Sequence, residues 1–271
     1  MRLLLAGPGR AGLSILGRAA FCGHRVVGVT GRDPVAAAAG AALLDAPALP
    51  WDRPLPAADL LVVAVRDDAI GEVAAHLAPL AAEAGAAVHL SGLTPVEALL
   101  PFRGACAVGS FHPLQTLPDP VAGAARLEGA WVAVTSEDDG LADALTRFAR
   151  SLGAHPFPLL DSDKGAYHAA AAAAANFPLA ALAMARRLFA ASGVPFEAAR
   201  PLVRAVVENA FELGPEAALT GPIARGDVGT VAGQRSAVEA AAPELLEDFL
   251  CMGRAVARLA GTGDRFEEVL G

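Results

Sequence analysis

The chain has 271 residues, 54% hydrophobic and 18% charged, with a formal net charge of −8. That length holds one large domain or two ordinary ones, each with a real core. The acidic balance argues against nucleic acid or an anionic membrane face as partner.

In chain order, Arg2-Leu3-Leu4-Leu5-Ala6 is a short apolar run that reads as a buried parallel strand. Gly7-Pro8-Gly9-Arg10-Ala11-Gly12 follows and fits G-x-G-x-x-G, with a helix pattern from Ala11 to Phe21. In such a unit Gly7 permits the tight turn, Gly9 lets a pyrophosphate approach the backbone, and Gly12 lets helix and strand pack closely. The free N–H groups of the helix start then face the phosphates. This points to a dinucleotide site. The alternative is a glycine-rich turn with no ligand.

Arg25-Val26-Val27-Gly28-Val29 is the second strand, ending in Thr30-Gly31-Arg32-Asp33. An acidic residue at that strand end would bind the ribose 2′-hydroxyl of NAD. Thr30 and Arg32 suit a 2′-phosphate instead, so the expected cofactor is NADP, with NAD the lesser alternative. Asp33, the counter-signal, also fits a helix N-cap before Pro34. Pro34 to Leu44 reads as a helix and Pro47 to Pro56 as irregular. Asp59 to Val65 is another buried strand, and Arg66 opens the next helix with Asp67 or Asp68 as cap. Val65 and Arg66 stand where strand ends line the ligand crevice of a doubly wound sheet. Arg66 fits that role and a solvated surface position equally well.

Further strands are expected at Ala86 to Leu90, ending in Ser91-Gly92, and at Gly104 to Val108, ending in Gly109 to Gln115. Trp131 to Val134 is one more, then a helix from Leu141 to Leu152 and a short edge strand or exit linker at His155 to Leu159. Strand runs stop there, and helices are expected at about 161–191, 195–213 and 242–261. The expected architecture is therefore a Rossmann-type doubly wound α/β sheet, residues 1–158, followed by an all-helical domain, residues 159–271. The apolar stretch Ala166 to Ala185 reads as a buried helix, not a membrane span. The chain enters a strand directly, unlike a signal peptide. Cys22, Cys106 and Cys251 form no C-x-x-C pair and read as buried free thiols, so the expected location is the cytoplasm.

Three places carry candidate chemistry. Ser91 and His112 fall at the ends of successive strands, His112 as a proton or hydrogen-bond donor and Ser91 to orient a hydroxyl or carbonyl. Lys164, His168, Ala172 and Asn176 recur every four residues along one drifting helix face. Leu219 to Asp227 is a glycine-containing break where Arg225 would clamp a substrate anion, or would pair with Asp227 and merely hold the turn. No hydrolase elbow, Walker loop or metal-ligand pair stands out.

These segments together resemble a family of bacterial two-domain proteins with a Rossmann-like NADP-binding domain and a helical domain of unknown function. The segments are the glycine loop, His89-Leu90-Ser91-Gly92, His112-Pro113-Leu114-Gln115-Thr116, Tyr167-His168 with Asn176, and Leu219 to Asp227. The layout also resembles the 6-phosphogluconate dehydrogenase and ketopantoate reductase superfamily. Ketopantoate reductases carry a catalytic Lys on the first helix of the second domain. That position falls here on His168, with Asn176-Phe177-Pro178-Leu179 near the family's Asn-Pro-Leu and Lys164 one turn earlier. His112-Pro113 resembles the His-Pro of prephenate dehydrogenases, whose His contacts substrate. The resemblance implies NADP binding, an oxidoreductase-like fold and a homodimer through the helical domain.

The expectation is thus an NADP-dependent oxidoreductase for a small anionic metabolite. His168 or His112 would handle the proton, Asn176 would orient substrate or nicotinamide, and Arg225 would anchor the anion. The alternative is an NADP-binding redox sensor without turnover.

Overall fold

The computed structural model describes residues 1–271. By contacts the chain divides into two units, Met1–Ala173 and Ala174–Gly271. The division falls later than the sequence boundary of 158/159, inside a long helix, so the start of that helix belongs with the sheet.

The first unit holds eight strands: β1 (Arg2–Ala6), β2 (Arg25–Thr30), β3 (Ala48–Leu49), β4 (Leu60–Val63), β5 (Ala86–His89), β6 (Ala107–Leu114), β7 (Trp131–Ser136) and β8 (His155–Pro158). Their order across the sheet is β3-β2-β1-β4-β5-β6-β7-β8. All neighbours are parallel except β6 and β7. Strand order reverses between β1 and β4, the switch point where an open α/β sheet leaves a crevice at its carboxyl ends. Helices α1 (Arg10–Phe21), α2 (Pro34–Leu43), α3 (Ile70–Leu77), α4 (Pro120–Arg126) and α5 (Asp139–Ser151) belong to this unit, as does the start of α6 (Lys164–Ala191).

The pleat of β1 explains the double winding. Side chains alternate across a strand, and here both faces are covered. Leu3 and Leu5 join a core with Ile15 and Leu16 of α1 and Leu145 and Phe148 of α5. Leu4 and Ala6 join a second core with Ile70, Val73 and Leu77 of α3. At the far edge, β8 carries Pro156 and Pro158, which cannot extend a ladder and so blunt that edge.

Several expectations need correction. The strand expected at Gly104 to Val108 runs instead from Ala107 to Leu114, so His112 lies inside β6, opposite Ala133 of the antiparallel β7. The stretch 47–56 contains the two-residue β3. Neither Asp67 nor Asp68 caps α3; both lie in a 3-10 turn, Asp67–Ala69, without a side-chain cap. Asp33 does cap α2, accepting from the Val35 and Ala36 amides. All three cysteines are free, but Cys251 is exposed.

The second unit contains the rest of α6, then α7 (Ala199–Leu213), α8 (Pro215–Ala218), α9 (Pro222–Arg225), α10 (Val228–Ala241), α11 (Leu246–Leu259) and α12 (Glu267–Leu270). Helix α11 lies within the helix expected at 242–261, whereas α10 occupies residues between that helix and the 219–227 break for which no helix is expected. A small core of Val231, Leu250, Ala257, Phe266 and Leu270 holds this unit. The expected burial of Ala166 to Ala185 is not met. Asp161–Ala191 is long and apolar enough to cross a membrane by length and composition, and only 6% of its apolar window is buried. An alanine-rich face supplies little volume to fill a core, and α6 is left largely uncovered within one chain.

Candidate functional site

The glycine loop sits at the switch point. Gly7 has φ +92°, and a Cβ there would stand 2.6 Å from the Ala64 carbonyl oxygen and 2.7 Å from Val65 Cγ1. Only glycine takes that conformation and that proximity without strain. Val65 is therefore packed directly on the loop. At Gly12 a Cβ would meet Ala64 Cβ and Leu5 Cδ1, each at 2.7 Å, which is the close helix–strand packing the motif requires. Pro8 lies over Gly31 and Gly40, where any Cβ would meet its ring atoms at 3.1 and 2.7 Å.

Gly9 differs. A Cβ there would meet nothing nearer than the Ala64 oxygen at 3.6 Å. No packing within the chain demands glycine at this position. Gly9 is also the N-cap of α1 and brings no side-chain cap, so the amides of Arg10, Ala11 and Gly12 open the helix with its usual unpaired donors. An open cradle beside free helix amides fits a dinucleotide pyrophosphate.

The corner at the end of β2 departs from expectation. Thr30 is 0% exposed, and its hydroxyl donates to the Leu49 carbonyl at 3.1 Å. The sheet edge formed by β3 takes up the donor that sequence reading assigned to a 2′-phosphate. Arg32 remains exposed, paired only with the exposed Glu72 at 3.3 Å. Arg66 is also exposed and pairs with Asp68 at 2.6 Å.

The carboxyl ends of β5 and β6 bring Ser91, His112, Lys164, Tyr167 and His168 together, all within the first unit. His89 pairs with Ser110 of β6, which places His112 just past the end of β5. The Ser91 hydroxyl donates to Asp67 Oδ2 at 2.6 Å and accepts from the Leu93 and Thr94 amides. It thus closes the turn after β5. Lys164 is 1% exposed. Its ammonium donates to the Thr94 carbonyl at 2.8 Å and pairs with Asp161 Oδ1 at 2.8 Å. Asp161 Oδ2 in turn accepts from the Val96 amide at 3.0 Å. The start of α6 is therefore latched to the turn 91–96, and burial lowers the ammonium pKa against the opposing pull of Asp161. Lys164 is sealed into this latch rather than presented to a ligand.

His112 is half-buried, and its Nδ1 lies 2.7 Å from the Tyr167 hydroxyl. The ring of His168 is 6.2 Å away, centroid to centroid. A Cβ on Gly92 would stand 2.8–2.9 Å from three imidazole atoms, so the ring lies flat against that glycine. Burial first, then the neighbouring His168, push the His112 pKa down to about 4. Burial pushes the Tyr167 hydroxyl up to about 12. Both partners are thus neutral across the ordinary pH range. Beneath them His89, 0% exposed, accepts from the Ser91 amide through Nδ1, and its Nε2 has no partner. Burial and the Lys164 charge bring His89 down to about 4.

The sequence alone gives no site role to Tyr167, Asp161 or His89, and offers Asp67 only as a helix cap. The usable signal was helical spacing: Asp161, Lys164 and Tyr167 at steps of three, with His168 beside the one tyrosine in the chain.

In the second unit Asn176 is exposed on α6 and Arg225 is exposed at the end of α9. Asp227 does not pair with Arg225. It caps α10, accepting from the Thr230 amide and hydroxyl at 3.1 and 2.7 Å, and these bonds lower its pKa.

Residues 130–256 match a family described as a domain of unknown function, DUF2520. No curated protein matches the chain. Among solved structures, one from Bacteroides fragilis, described as a "putative NADP oxidoreductase", has a TM-score of 0.81 at 22% identity, covering 95% of this chain and 98% of its own. A protein from Thermotoga maritima gives 0.67 at 25%, covering 94% and 98%. A reductive aminase from Aspergillus terreus, solved with NADPH and ethyl levulinate, gives 0.63 at 16%, covering 98% and 99%. The chain therefore has the fold of this group, a Rossmann-like domain followed by an all-helical one.

Proposed function

We propose that this protein is an NADP-dependent oxidoreductase that exchanges hydride with a small metabolite. The observation that carries the reading is Gly9, a position open in the fold yet set between two glycines that packing does require. Nicotinamide supplies the hydride chemistry when bound. The chain's own residues bind the pyrophosphate at Gly7, Pro8, Gly9, Arg10, Ala11 and Gly12, with Val65 and Arg66 flanking. His112 stands at the crevice end of β6 as proton donor, with His168 the other candidate. Ser91 and Lys164 shape the turn beneath them. Asn176 and Arg225 are the second unit's candidates for orienting substrate and holding its anionic group. The Aspergillus terreus reductive aminase, whose fold this chain shares, was solved with NADPH, which supports the reading.

NADP rather than NAD rests on the end of β2. Asp33, the one carboxylate of that corner, is spent capping α2, and the exposed Arg32 is held only by a surface ion pair, which is weak. Calorimetric titration should give tighter binding of NADPH than of NADH. Arg32→Ala should weaken NADPH about 10-fold or more, the worth of a charge-assisted contact to phosphate, and leave NADH unchanged. Equal losses for both nucleotides would reject the assignment.

The helical unit is proposed as the homodimer interface. Phe177 and Leu179 of α6 and Leu202, Val206 and Phe211 of α7 are exposed, Phe211 to 90%. A second copy of the same face is the occupant we propose for this apolar surface. Light scattering at micromolar concentration should give twice the chain mass; a monomer would reject the interface.

A further inference from the structure

We infer that His112 and Tyr167 act as a neutral proton-donating pair, in which the phenol donates to Nδ1 and so fixes the imidazole with its Nε2–H toward the acceptor's heteroatom. The inference rests on the oxidoreductase reading and extends it by one positioning residue, Tyr167, and by the substrate class, a neutral C=O or C=N acceptor.

Three contacts carry it. The Tyr167 hydroxyl is the partner of His112 Nδ1, at 2.7 Å. The imidazole is held flat by Gly92, and Tyr167 is steadied edge-on by Phe157, with ring centroids 5.9 Å apart. His112 Nε2 has no partner in the chain and is not sealed from solvent, so it is the nitrogen free to meet a ligand. Both groups are neutral in this setting. A neutral imidazole offered a phenol proton at Nδ1 carries its own proton on Nε2. Of the other polar groups around the pair, Lys164 is committed to Thr94 and Asp161 and Ser91 to Asp67, while His168 stands 6.2 Å from His112, ring to ring.

The step balances as follows in the reductive direction. The acceptor carbon gains a hydride, and its π pair moves to the heteroatom. The heteroatom takes the Nε2 proton, Nδ1 takes the phenol proton, and Tyr167 regains a proton from water. The product thus receives two electrons and one hydrogen from the reduced nicotinamide and one proton from solvent. An acceptor that already carries a full positive charge needs no proton and would not use the pair.

The test is nitrogen NMR of the protein labelled at histidine, with the His112 signal assigned by its absence in His112→Gln. The wild type should show His112 as the Nε2–H tautomer at neutral pH. In Tyr167→Phe that signature should give way to a tautomer mixture, while NADPH affinity by calorimetry stays within about 2-fold. A wild-type Nδ1–H tautomer, or an unchanged signature in Tyr167→Phe, overturns the inference. If neither nucleotide binds the wild type, the oxidoreductase reading fails, and the proton-donating role fails with it. The tautomer readout separates that outcome from a failure of the pair itself.

Discussion

Between pH 6.5 and pH 4 the protein should lose stability steeply, by about 3 kcal/mol for each of two rings. His89 and His112 both fall from the ordinary 6.5 to about 4 in the folded state, mainly through burial. Below pH 6.5 the unfolded chain binds protons at both rings that the native state refuses, so acid favours unfolding. The contribution is fully present above 6.5, is lost as pH falls toward 4, and flattens below it. The structural reasons are specific. A proton on His89 would place a charge in a fully buried ring near the Lys164 ammonium. A proton on His112 would oppose His168. Urea unfolding at several pH values measures the slope. His89→Asn, whose amide oxygen can replace Nδ1 as acceptor for the Ser91 amide, should flatten it by about half. A slope unchanged in His89→Asn would show that His89 does not titrate in this window.

Gly9→Val should abolish NADPH binding while leaving the fold intact, a loss of about 100-fold or more, or ~3 kcal/mol. The backbone at Gly9, φ −79° and ψ 170°, is extended and open to any residue. Its Cβ direction is clear of protein atoms but for ordinary contact with the Ala64 oxygen. A valine there costs the folded chain about 1 kcal/mol at most, the difference between N-cap residues. It does fill the space a pyrophosphate would take. Thermal denaturation with and without NADPH is the check. A saturating ligand raises the midpoint of the wild type by mass action and should leave that of Gly9→Val unmoved. A variant that still shifts like the wild type would place the nucleotide elsewhere.

The buried parallel strands and the glycine loop were legible because each is a local pattern: continuous apolar runs, then glycines at fixed offsets. β6 was misplaced because Pro113 and Gly109 look like turn residues. Its extension comes from antiparallel pairing with β7, a contact no local signal encodes. Thr30 was misjudged for a similar reason, since the carbonyl that takes its hydroxyl belongs to the two-residue β3. Residues 164–191 do form a helix, but spacing does not report depth, and burial separates the sealed Lys164 from the half-buried Tyr167 and His168. The latch of Asp161 and Lys164 onto the turn 91–96 joins residues some seventy positions apart. It becomes visible only once β5 and α6 are placed.

The account turns on whether the crevice at the β1–β4 switch point holds a nicotinamide dinucleotide. Calorimetric titration of the wild-type protein with NADPH at fixed salt tests this most directly. The account predicts saturable binding at one site per chain, on the order of micromolar or tighter. An absence of heat and of saturation with both NADPH and NADH would contradict it.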